Sequence, residues 1–544
     1  MASQTQAPDP GALPAAMIEH ATAMADWVVI LPVVLCLIGG ALLLIMRKSR
    51  IGQAGLAILV TIGVIASDIA LLMRTLDGPV SMTMGKWLPP FGIAFTADVL
   101  SAGFALAAAV ATLVVLFYTQ AELQLREVRH GFHALVLLML AGVSGAFLTG
   151  DIFNLYVWFE VMLIASFGLM IMGGRKIQLD AAVKYGFLNF LATTFFLVAL
   201  GYLYGLVGTL NMADIVTAAA VAPKVPMAAI ASLMLLAFGM KAAAFPVNAW
   251  LPASYHAPDP GVSALFAGLL TKVGAYTLLR ILVALMPGTR DWLGPVLVVV
   301  ATTTLIIAPL GALAQTNLRR ALGFFVIGGI GAILAGLAIG TPTGIQGGAI
   351  YAFNSMLVMT AFYLVAGLVE RVTGEMDTRQ MGGLYAVNSP LSIAFLVLVF
   401  AAAGLPPSLA FWPKLLLVEG SVASGQYWVL AAVLINSILT SIAGSRLWAH
   451  IFWRQGRAGT HSEQPNDRLR PLSPTYRGFA AVPTGALVLA IVLLGLWPNP
   501  VFEAGRLAAT GLVDPVPYVA ATGLAPANDA AQGGAAMASE ETPR

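Results

Sequence analysis

The feature that most constrains this chain is a succession of about fourteen apolar stretches, each long enough to cross a bilayer as a helix. A membrane-spanning helix needs about 20 mostly apolar residues, and only short polar turns separate these stretches. Of the 544 residues, 59% are hydrophobic and 10% are charged, whereas soluble domains contain about 25% charged residues. The sequence therefore predicts an all-α polytopic membrane protein with about fourteen transmembrane helices.

The apolar stretches divide the chain into seven parts. We predict an N-terminal lead, helices 1 to 3, a first five-helix repeat (helices 4 to 8), a second five-helix repeat (helices 9 to 13), a basic loop, helix 14 and a disordered tail. In that order they cover residues 1–26, 27–118, 132–286, 292–453, 454–478, 479–497 and 504–544. A five-span unit repeated in tandem must be inverted in its second copy, so the two groups predict inverted repeats with broken helices.

Most basic residues outside the apolar stretches fall on one side of the membrane, which we call the basic face. It holds Arg47, Lys48, Arg50, Arg126, Arg129, Arg175, Lys176, Arg319, Arg320, Arg371, Arg379 and the cluster from Arg454 to Arg477. The positive-inside rule predicts that the basic face is cytoplasmic and that both termini lie outside. Because these residues sit in separate loops and form no single patch, we expect no nucleic-acid partner.

Two lysines, Lys241 and Lys272, lie inside segments that are otherwise apolar enough for a bilayer, and Pro246 breaks the first of these segments. An ionised side chain at mid-membrane costs roughly 2.5–3.5 kcal/mol on insertion scales, so such residues usually face a protein interior or a wet cavity. A proline-broken helix frees backbone carbonyls that can meet ions. A second break, GLPPSLAFWPK at 404–414, brings Lys414 to the corresponding place in the second repeat. Both breaks are therefore candidate sites.

The fifth apolar stretch contains one carboxylate, Glu160, whose polar neighbours on the same helix are only the distant Asn154 and Ser166. We expect this group to be buried and to need a partner from another helix. Lys241 is the economical partner, since opposite charges reduce each other's burial cost and shift each other's pKa in opposite directions. The alternative is a structural ion pair that holds the bundle together.

Two interpretations are open for each of three candidates, which are Lys272, Lys184 and His256. Lys272 could instead extend to the lipid headgroups, as long basic side chains near helix ends do. Lys184, near the start of the sixth stretch, could extend in the same way or take part in a proton relay. His256, close to Asp259 in a loop, could receive protons at the mouth of a route, or it could simply be solvated.

No other chemistry is evident in the sequence. It contains no phosphate-binding glycine loop after a strand, no paired-histidine metal helix and no spacing typical of a Ser-His-Asp site. Its single cysteine, Cys36, cannot form an internal disulfide or a multi-cysteine metal or iron–sulfur site. We therefore expect a transporter subunit and not an enzyme, with no cofactor or metal of its own.

Four runs closely resemble the D subunit of Mrp-type multisubunit monovalent cation/proton antiporters. They are GDIFNLYVWFE at 150–160, KAAAFP at 241–246, WLPASYH at 250–256 and GVSALFAGLLTKVG at 261–274. The resemblance extends from about residue 27 to residue 497. This D subunit is similar in turn to the antiporter-like membrane subunits of respiratory complex I and membrane-bound hydrogenases.

The resemblance implies a fourteen-helix subunit in a bacterial cell membrane, within a complex of several hydrophobic subunits. It implies a paired Glu160 and Lys241, a bridging Lys272 and a second-half Lys414, which relay protons while Na⁺ or a similar ion is exchanged. Two alternatives remain: a membrane subunit of a redox enzyme such as NADH–quinone oxidoreductase or a membrane-bound hydrogenase, and a non-conducting scaffold. The buried charges argue against a scaffold, and the runs 251–256 and 368–371 favour antiport.

The chain departs from its relatives in the second half. Relatives commonly carry a histidine in the tenth helix and a histidine and a lysine in the eleventh, where this chain has Phe325, Asn354 and Met359. Asn354, Ser355 and Thr360 could hold water, but none of them can store a proton. We therefore expect the second half to be largely structural.

Overall fold

A computed structural model of the chain describes residues 22–47, 49–87, 92–454 and 469–524, and these residues form a bundle of long helices. In chain order the helices are α1 Leu31–Ile45, α2 Arg50–Thr75, α3 Val99–Thr119, α4 Leu125–Arg129, α5 Phe132–Leu148, α6 Ile152–Met170, α7 Lys176–Val207, α8 Met212–Val221, α9 Lys224–Ala242, α10 Trp250–Ser254, α11 Pro260–Leu285, α12 Pro287–Trp292, α13 Gly294–Ala314, α14 Leu318–Ile339, α15 Pro342–Thr373, α16 Leu384–Val387, α17 Ser389–Ala403, α18 Phe411–Ala423, α19 Tyr427–Trp453, α20 Pro474–Leu496, α21 Asn499–Val513 and α22 Val516–Ala521.

Eleven helices in the described part of the chain are long and apolar enough to cross a membrane. The shorter apolar helices α1, α5 and α17 coincide with three more of the predicted spans. The all-α polytopic class is therefore confirmed, and the count of fourteen spans stays a prediction. Helices α11, α14 and α15 are almost wholly buried, whereas α2, α7 and α20 expose much of their surface. The first three thus form the centre of the bundle.

Both predicted helix breaks are present. Helix α9 ends at Ala242, and the next residue, Ala243, adopts the left-handed conformation with φ +61°. Helix α17 ends at Ala403, and Gly404 adopts φ +77° before α18 begins at Phe411. Lys241 lies in the last turn before its break and Lys414 in the first turn after its break. The inverted relation of the two repeats stays a prediction.

A two-stranded antiparallel hairpin precedes α3, in the stretch between the second and third predicted spans. Strands β1 (Val80–Thr83) and β2 (Ala94–Ala97) pair with Val80 opposite Ala97. Strands of four residues carry too little alternation to be recognised from their own pattern. The hairpin positions the following residue, Asp98, which caps α3 and forms an ion pair of 2.6 Å with Arg280 at the end of α11.

The prediction of a disordered tail over 504–544 is wrong for most of its first half. Helices α21 and α22 occupy Asn499–Val513 and Val516–Ala521. Helix α21 packs against α3 and α15, and its Leu512 is fully buried. These tertiary contacts stabilise a segment whose Ala-, Gly- and Pro-rich composition alone predicts little order. The rest of the tail from 525, most of the predicted lead (1–21), Lys48 and most of the basic loop (455–468) lie outside the described residues.

Candidate functional site

Lys241 lies at the meeting point of α6, α7 and α9. Its side chain is buried, and its Nζ atom donates a hydrogen bond to Thr193 Oγ1 at 3.0 Å. The same atom lies 4.6 Å from the centre of the Phe159 ring. The C-terminal end of a helix carries partial negative charge, which stabilises a nearby cation by about 0.3–1 kcal/mol. The position of Lys241 in the last turn of α9 therefore favours its charged form.

Side chains from elsewhere in the chain form hydrogen bonds with the backbone groups at the broken end of α9. Trp250 Nε1 donates to the Met240 carbonyl at 3.0 Å, and the Phe245 N–H donates to Thr304 Oγ1 at 3.1 Å. Such contacts replace the helical hydrogen bonds that a break removes. Gly274 of α11 approaches the break closely, since a Cβ atom there would lie 3.3 Å from Lys241 Cβ. Helix α11 thus packs directly against the lysine.

A cavity of about 10 Å³ adjoins Lys241, and Asn189, Tyr255 and Leu270 are among its other lining residues. This volume is about the room that one water molecule needs. The buried Tyr255 hydroxyl has no hydrogen-bond partner among the described residues. The cavity therefore joins Lys241 to the segment of α11 that ends at Leu270, with a polar atom free to hold water.

Lys272 is fully buried in α11, and its Nζ atom donates to the Ala267 carbonyl at 2.6 Å. Ala267 belongs to a π-helical segment, Phe266–Leu270. The wider π turn disturbs the regular hydrogen-bond ladder, and such segments are frequent at functional sites. The side chain points to this internal carbonyl, so the alternative in which Lys272 extends to the headgroups is wrong.

Lys414 is buried in the first turn of α18 and is surrounded by acceptors. Its Nζ atom donates to the Ala403 carbonyl at 2.8 Å, to Ser437 Oγ at 3.0 Å and to Asn436 Oδ1 at 3.2 Å. A lysine ammonium has three donors, so all three are used here. Gly404 is packed so tightly that a Cβ atom there would overlap Lys414 Cδ.

The expected buried ion pair between Glu160 and Lys241 is not formed. In the described part of the chain, no carboxylate lies within 4 Å of the ammonium of Lys241, Lys272 or Lys414. Glu160 is only half-buried, and Val157 and Ile164 on the same side of α6 are exposed. Helix α6 is apolar all round, so its sequence did not show which side α5 and α7 would cover.

Lys184 lies away from the other candidates. It is on an exposed side of α7, where its Nζ atom forms an ion pair of 2.5 Å with Asp180 one turn earlier. The neighbouring Val183 and Phe187 are exposed as well. The structure therefore does not bring Lys184 together with Lys241 and Lys272.

His256 is buried, so the alternative of a solvated loop histidine is wrong. Its Nδ1 atom lies 3.0 Å from the Pro252 carbonyl, and its Nε2 atom lies 3.2 Å from Arg320 Nη2. Burial, followed by the charge of Arg320, lowers the pKa of His256 to about 4. The ring is then neutral at neutral pH, with Nδ1–H donating and Nε2 accepting.

Phe325, Asn354 and Met359, where the resemblance implies titratable groups, lie in α14 and α15. Phe325 packs against Phe362, with ring centres 5.8 Å apart, and Met359 is fully buried. Asn354 Oδ1 and Ser355 Oγ are buried without a hydrogen-bond partner among the described residues. This region therefore offers polar atoms for water but no group at these positions that exchanges a proton.

Three charged residues within or beside the predicted spans are not among the candidates predicted from the sequence. Arg280 pairs with Asp98 at 2.6 Å, and both are buried. Asp68 of α2 is fully buried, and neither carboxylate oxygen has a partner in the described part of the chain. The signal that singled out Lys241, a charge inside an apolar run, was available for Asp68 and Arg280 too.

The site residues fall within a region that matches a known family. A family profile described as "NADH:quinone oxidoreductase/Mrp antiporter, TM" matches residues 149–440. The chain belongs to this family. The matched region contains Glu160, Lys241, Lys272 and Lys414, and so includes the lysines of both breaks.

Relatives of this family member cover nearly its whole length. The D subunit of the Na(+)/H(+) antiporter of Bacillus subtilis is 34% identical over 501 residues, which are 91% of this chain and 98% of that protein. A chain of the Mrp complex from Dietzia sp. DQ12-45-1b matches with a TM-score of 0.84 at 28% identity, covering 92% of this chain and 100% of that one.

A chain of the membrane-bound sulfane sulfur reductase, an archaeal respiratory membrane complex, has the same fold. It matches with a TM-score of 0.82 at 26% identity, covering 91% of this chain and 100% of that one. The resemblance to the Mrp D subunit is thus confirmed, and the fold is shared with a respiratory complex.

Proposed function

We propose that this chain is the proton-translocating subunit of a multisubunit monovalent cation (Na⁺)/proton antiporter. The observation that carries the proposal is the pair of buried lysines, Lys241 and Lys272, with no carboxylate of the described residues within 4 Å, together with a cavity for one water that runs from Lys241 to Leu270. The name of the Bacillus subtilis relative supports the same activity. The relay depends on Glu160, Lys241 and Lys272, with Lys414 as the corresponding lysine of the second repeat, and the subunit is a transporter component without an enzymatic reaction of its own.

The lysines can exchange protons because their donors are not all used. Lys241 makes one side-chain hydrogen bond, to Thr193, and lines the cavity. Burial without an anion disfavours the ammonium form, and an approaching carboxylate favours it. Movement of Glu160 toward or away from Lys241 would therefore load or release a proton, which water in the cavity passes toward Lys272.

The side of α6 that carries Glu160 has to be buried by another protein chain. A carboxylate on an exposed apolar side of α6 would face lipid, where an ionised group costs roughly 2.5–3.5 kcal/mol. We therefore place another hydrophobic subunit of the complex against this side of α6. The relay roles of Lys184 and His256 stay predictions. The ion pair of Lys184 with Asp180 and the neutral ring of His256 favour positioning roles.

The orientation follows the positive-inside rule. The basic face is cytoplasmic in a bacterial inner membrane, and both termini lie outside. When Na⁺ is expelled, protons enter from the opposite face, pass the lysines and leave at the basic face.

The second candidate function is a membrane subunit of a redox complex, in which electron transfer drives the proton steps. The fold match to a chain of the sulfane sulfur reductase supports it. Copurification separates the two functions. An antiporter brings down only hydrophobic membrane subunits, whereas a redox complex brings down subunits that bear flavin or iron–sulfur clusters.

Transport by the assembled complex in everted vesicles tests the proposal. The wild-type complex should dissipate an acid-inside pH gradient when Na⁺ is added, and Lys241→Ala or Glu160→Gln should abolish this response while the complex stays assembled. Lys241→Arg should fail as well, since a guanidinium keeps its proton at any relevant pH. Normal exchange by an assembled Lys241→Ala complex would overturn the proposed relay.

A further inference from the structure

A second group of titratable side chains lies at the start of α11, the helix that carries Lys272. Glu122, Glu127 and Asp259 line a cavity of about 10 Å³ together with Thr119 and Val262. This volume again corresponds to about one water molecule. The three carboxylates come from the turn after α3, from α4 and from the residue before α11, so the fold gathers them from separate segments.

Glu122 is the group around which this cluster is built. Its Oε2 atom is buried and makes no hydrogen bond of ordinary geometry with the described residues, and it would lie 3.6 Å from a Cβ atom placed at Gly261. The fully buried hydroxyl of Tyr118 interacts with this carboxyl and has no other partner in the described residues. Glu122 thus places a buried carboxylate oxygen, without a partner of ordinary geometry among the described residues, at a water-sized cavity, which indicates a site that holds an exchangeable ligand.

Asp259 connects the cluster to solution. It is partly exposed and forms an ion pair of 2.5 Å with Arg175 on the basic face. Along α11, Lys272 follows Asp259 by about 20 Å of helix. The cluster therefore lies between solution at the basic face and the buried lysine.

The ligand that suits this cluster is a proton and not a metal ion. No group of three or more metal-ligating side chains in the described part of the chain is arranged to hold a metal. The groups that face Glu122 are Tyr118 on α3, Glu127 on α4, Asp259 before α11, Arg319 on α14, Glu370 on α15 and Tyr476 on α20. Arg319 forms an ion pair of 2.8 Å with Glu370, so its positive charge is not available to Glu122 by itself.

We propose that the carboxyl group of Glu122, together with Asp259 and the cavity between them, is a proton-binding site through which protons pass between solution at the basic face and the buried relay. The inference rests on the proposed transport function and adds to it the place where the route meets solution. It assigns Glu122 a role that the apolar spans and their lysines did not indicate.

The electrostatics of the site agree with this role. Burial, and next the charge of Asp259, raise the pKa of Glu122 to about 8, while the Gly261 N–H and the Arg319 guanidinium act in the opposite direction. Because the pKa is raised, the carboxyl keeps its proton at neutral pH and loses it as the pH rises through about 8. A group of this kind can accept and release a proton at the pH of a bacterial cytoplasm.

The experiment measures Na⁺-dependent proton release from everted vesicles that contain the whole complex, at a series of medium pH values. The rate of the wild-type complex should rise as the medium pH passes about 8, because release requires the deprotonated carboxyl. Glu122→Gln should remove this rise and lower the rate by at least about fivefold, in keeping with the loss of one acid–base group. Glu122→Asp should restore a pH-dependent rate.

Glu503→Gln is the matched control, since Glu503 is an exposed carboxylate on α21 that pairs with Arg506. It should match the wild type in rate and pH profile. A Glu122→Gln complex with the wild-type rate and profile would overturn the inference.

A second readout does not depend on transport. Infrared difference spectra of the purified complex between about pH 6 and pH 10 should show loss of a protonated carboxyl band, and Glu122→Gln should lack this change. A variant that still shows the wild-type change would overturn the inference. A wild-type complex without Na⁺-dependent proton movement would instead refute the proposed function, and the infrared titration would then decide the site by itself.

Discussion

At the residue scale, the three buried lysines differ in how many acceptors surround each ammonium group. Lys414 uses all three donors on Ala403, Asn436 and Ser437, whereas Lys241 and Lys272 each donate one side-chain hydrogen bond. A hydrogen bond to a charged group contributes about 1.5–3 kcal/mol. Three such bonds hold the Lys414 ammonium group in place, while Lys241 beside its cavity has donors left for water.

This difference predicts that Lys414→Ala impairs exchange much less than Lys241→Ala. The reason is that the connecting region has Phe325, Asn354 and Met359, none of which can carry a proton. Initial rates of Na⁺-dependent proton movement in everted vesicles, compared at equal amounts of assembled complex, measure the difference. Equal loss in the two variants would show that the route passes through Lys414.

His256 provides a residue-scale prediction about pH. Its lowered pKa of about 4 means that the folded protein binds a proton at His256 only well below neutrality. Replacement by a neutral side chain of similar hydrogen-bonding capacity, His256→Gln, should therefore leave the shape of the rate–pH profile between about pH 6 and pH 8 unchanged. A shift of the profile's midpoint in this range would assign His256 to the relay.

At the scale of elements, each helix break combines a residue in the left-handed conformation with a lysine. The lysine comes before the break in the first repeat and after it in the second. Lys241 precedes Ala243 and lies at the negative end of α9, whereas Lys414 follows Gly404 and lies at the positive end of α18. The second arrangement disfavours a cation by a fraction of a kcal/mol to about 1 kcal/mol. The three acceptors around Lys414 offset this effect.

The packing of the second break predicts that Gly404→Ala destabilises the protein more than Gly425→Ala. Both glycines have positive φ, +77° and +70°, so both substitutions strain the backbone by about 1 kcal/mol. Only at Gly404 would the added methyl overlap another group, the Lys414 side chain, since Gly425 has open space around it. Thermal unfolding of the detergent-purified complex should show the larger decrease in Tm for Gly404→Ala. Equal decreases would mean that Lys414 moves aside freely.

At the scale of the whole molecule, the central helices α11, α14 and α15 are covered on all sides, and the outer helices leave apolar surface for lipid or for other subunits. Glu160 lies on such an outer surface, half-buried, and not in the centre of the bundle. The proposed relay is therefore complete only when another subunit covers α6.

The whole-molecule arrangement predicts that this chain alone shows no cation-dependent proton movement. Its buried ionisable groups at the breaks are lysines, and hard cations require several oxygen ligands. Proteoliposomes with the purified single chain should show no Na⁺-dependent pH change, and those with the whole complex should show it. Robust Na⁺/proton exchange by the single chain would contradict the prediction.

Much of the site could be predicted from the sequence, because its signals are local. Lys241, Lys272 and Lys414 are charges within apolar runs, and prolines 246, 406 and 407 mark the breaks beside two of them. The depth of Glu160 could not be predicted in this way. Neither could the cavity beside Lys241 or the cluster at Glu122, since each is formed by side chains from segments that are distant in the chain.

The sequence by itself determined the membrane class, the two helix breaks and the lysines that accompany them, because hydrophobicity and proline act on the residues around them. Only the tertiary structure decided that Glu160 is only half-buried, that Lys414 has three acceptors and that α21 is ordered by packing on α3 and α15. These properties depend on which helices become neighbours. A run of apolar residues is compatible with lipid, another helix or another subunit on any of its sides, so hydrophobicity alone does not choose among them.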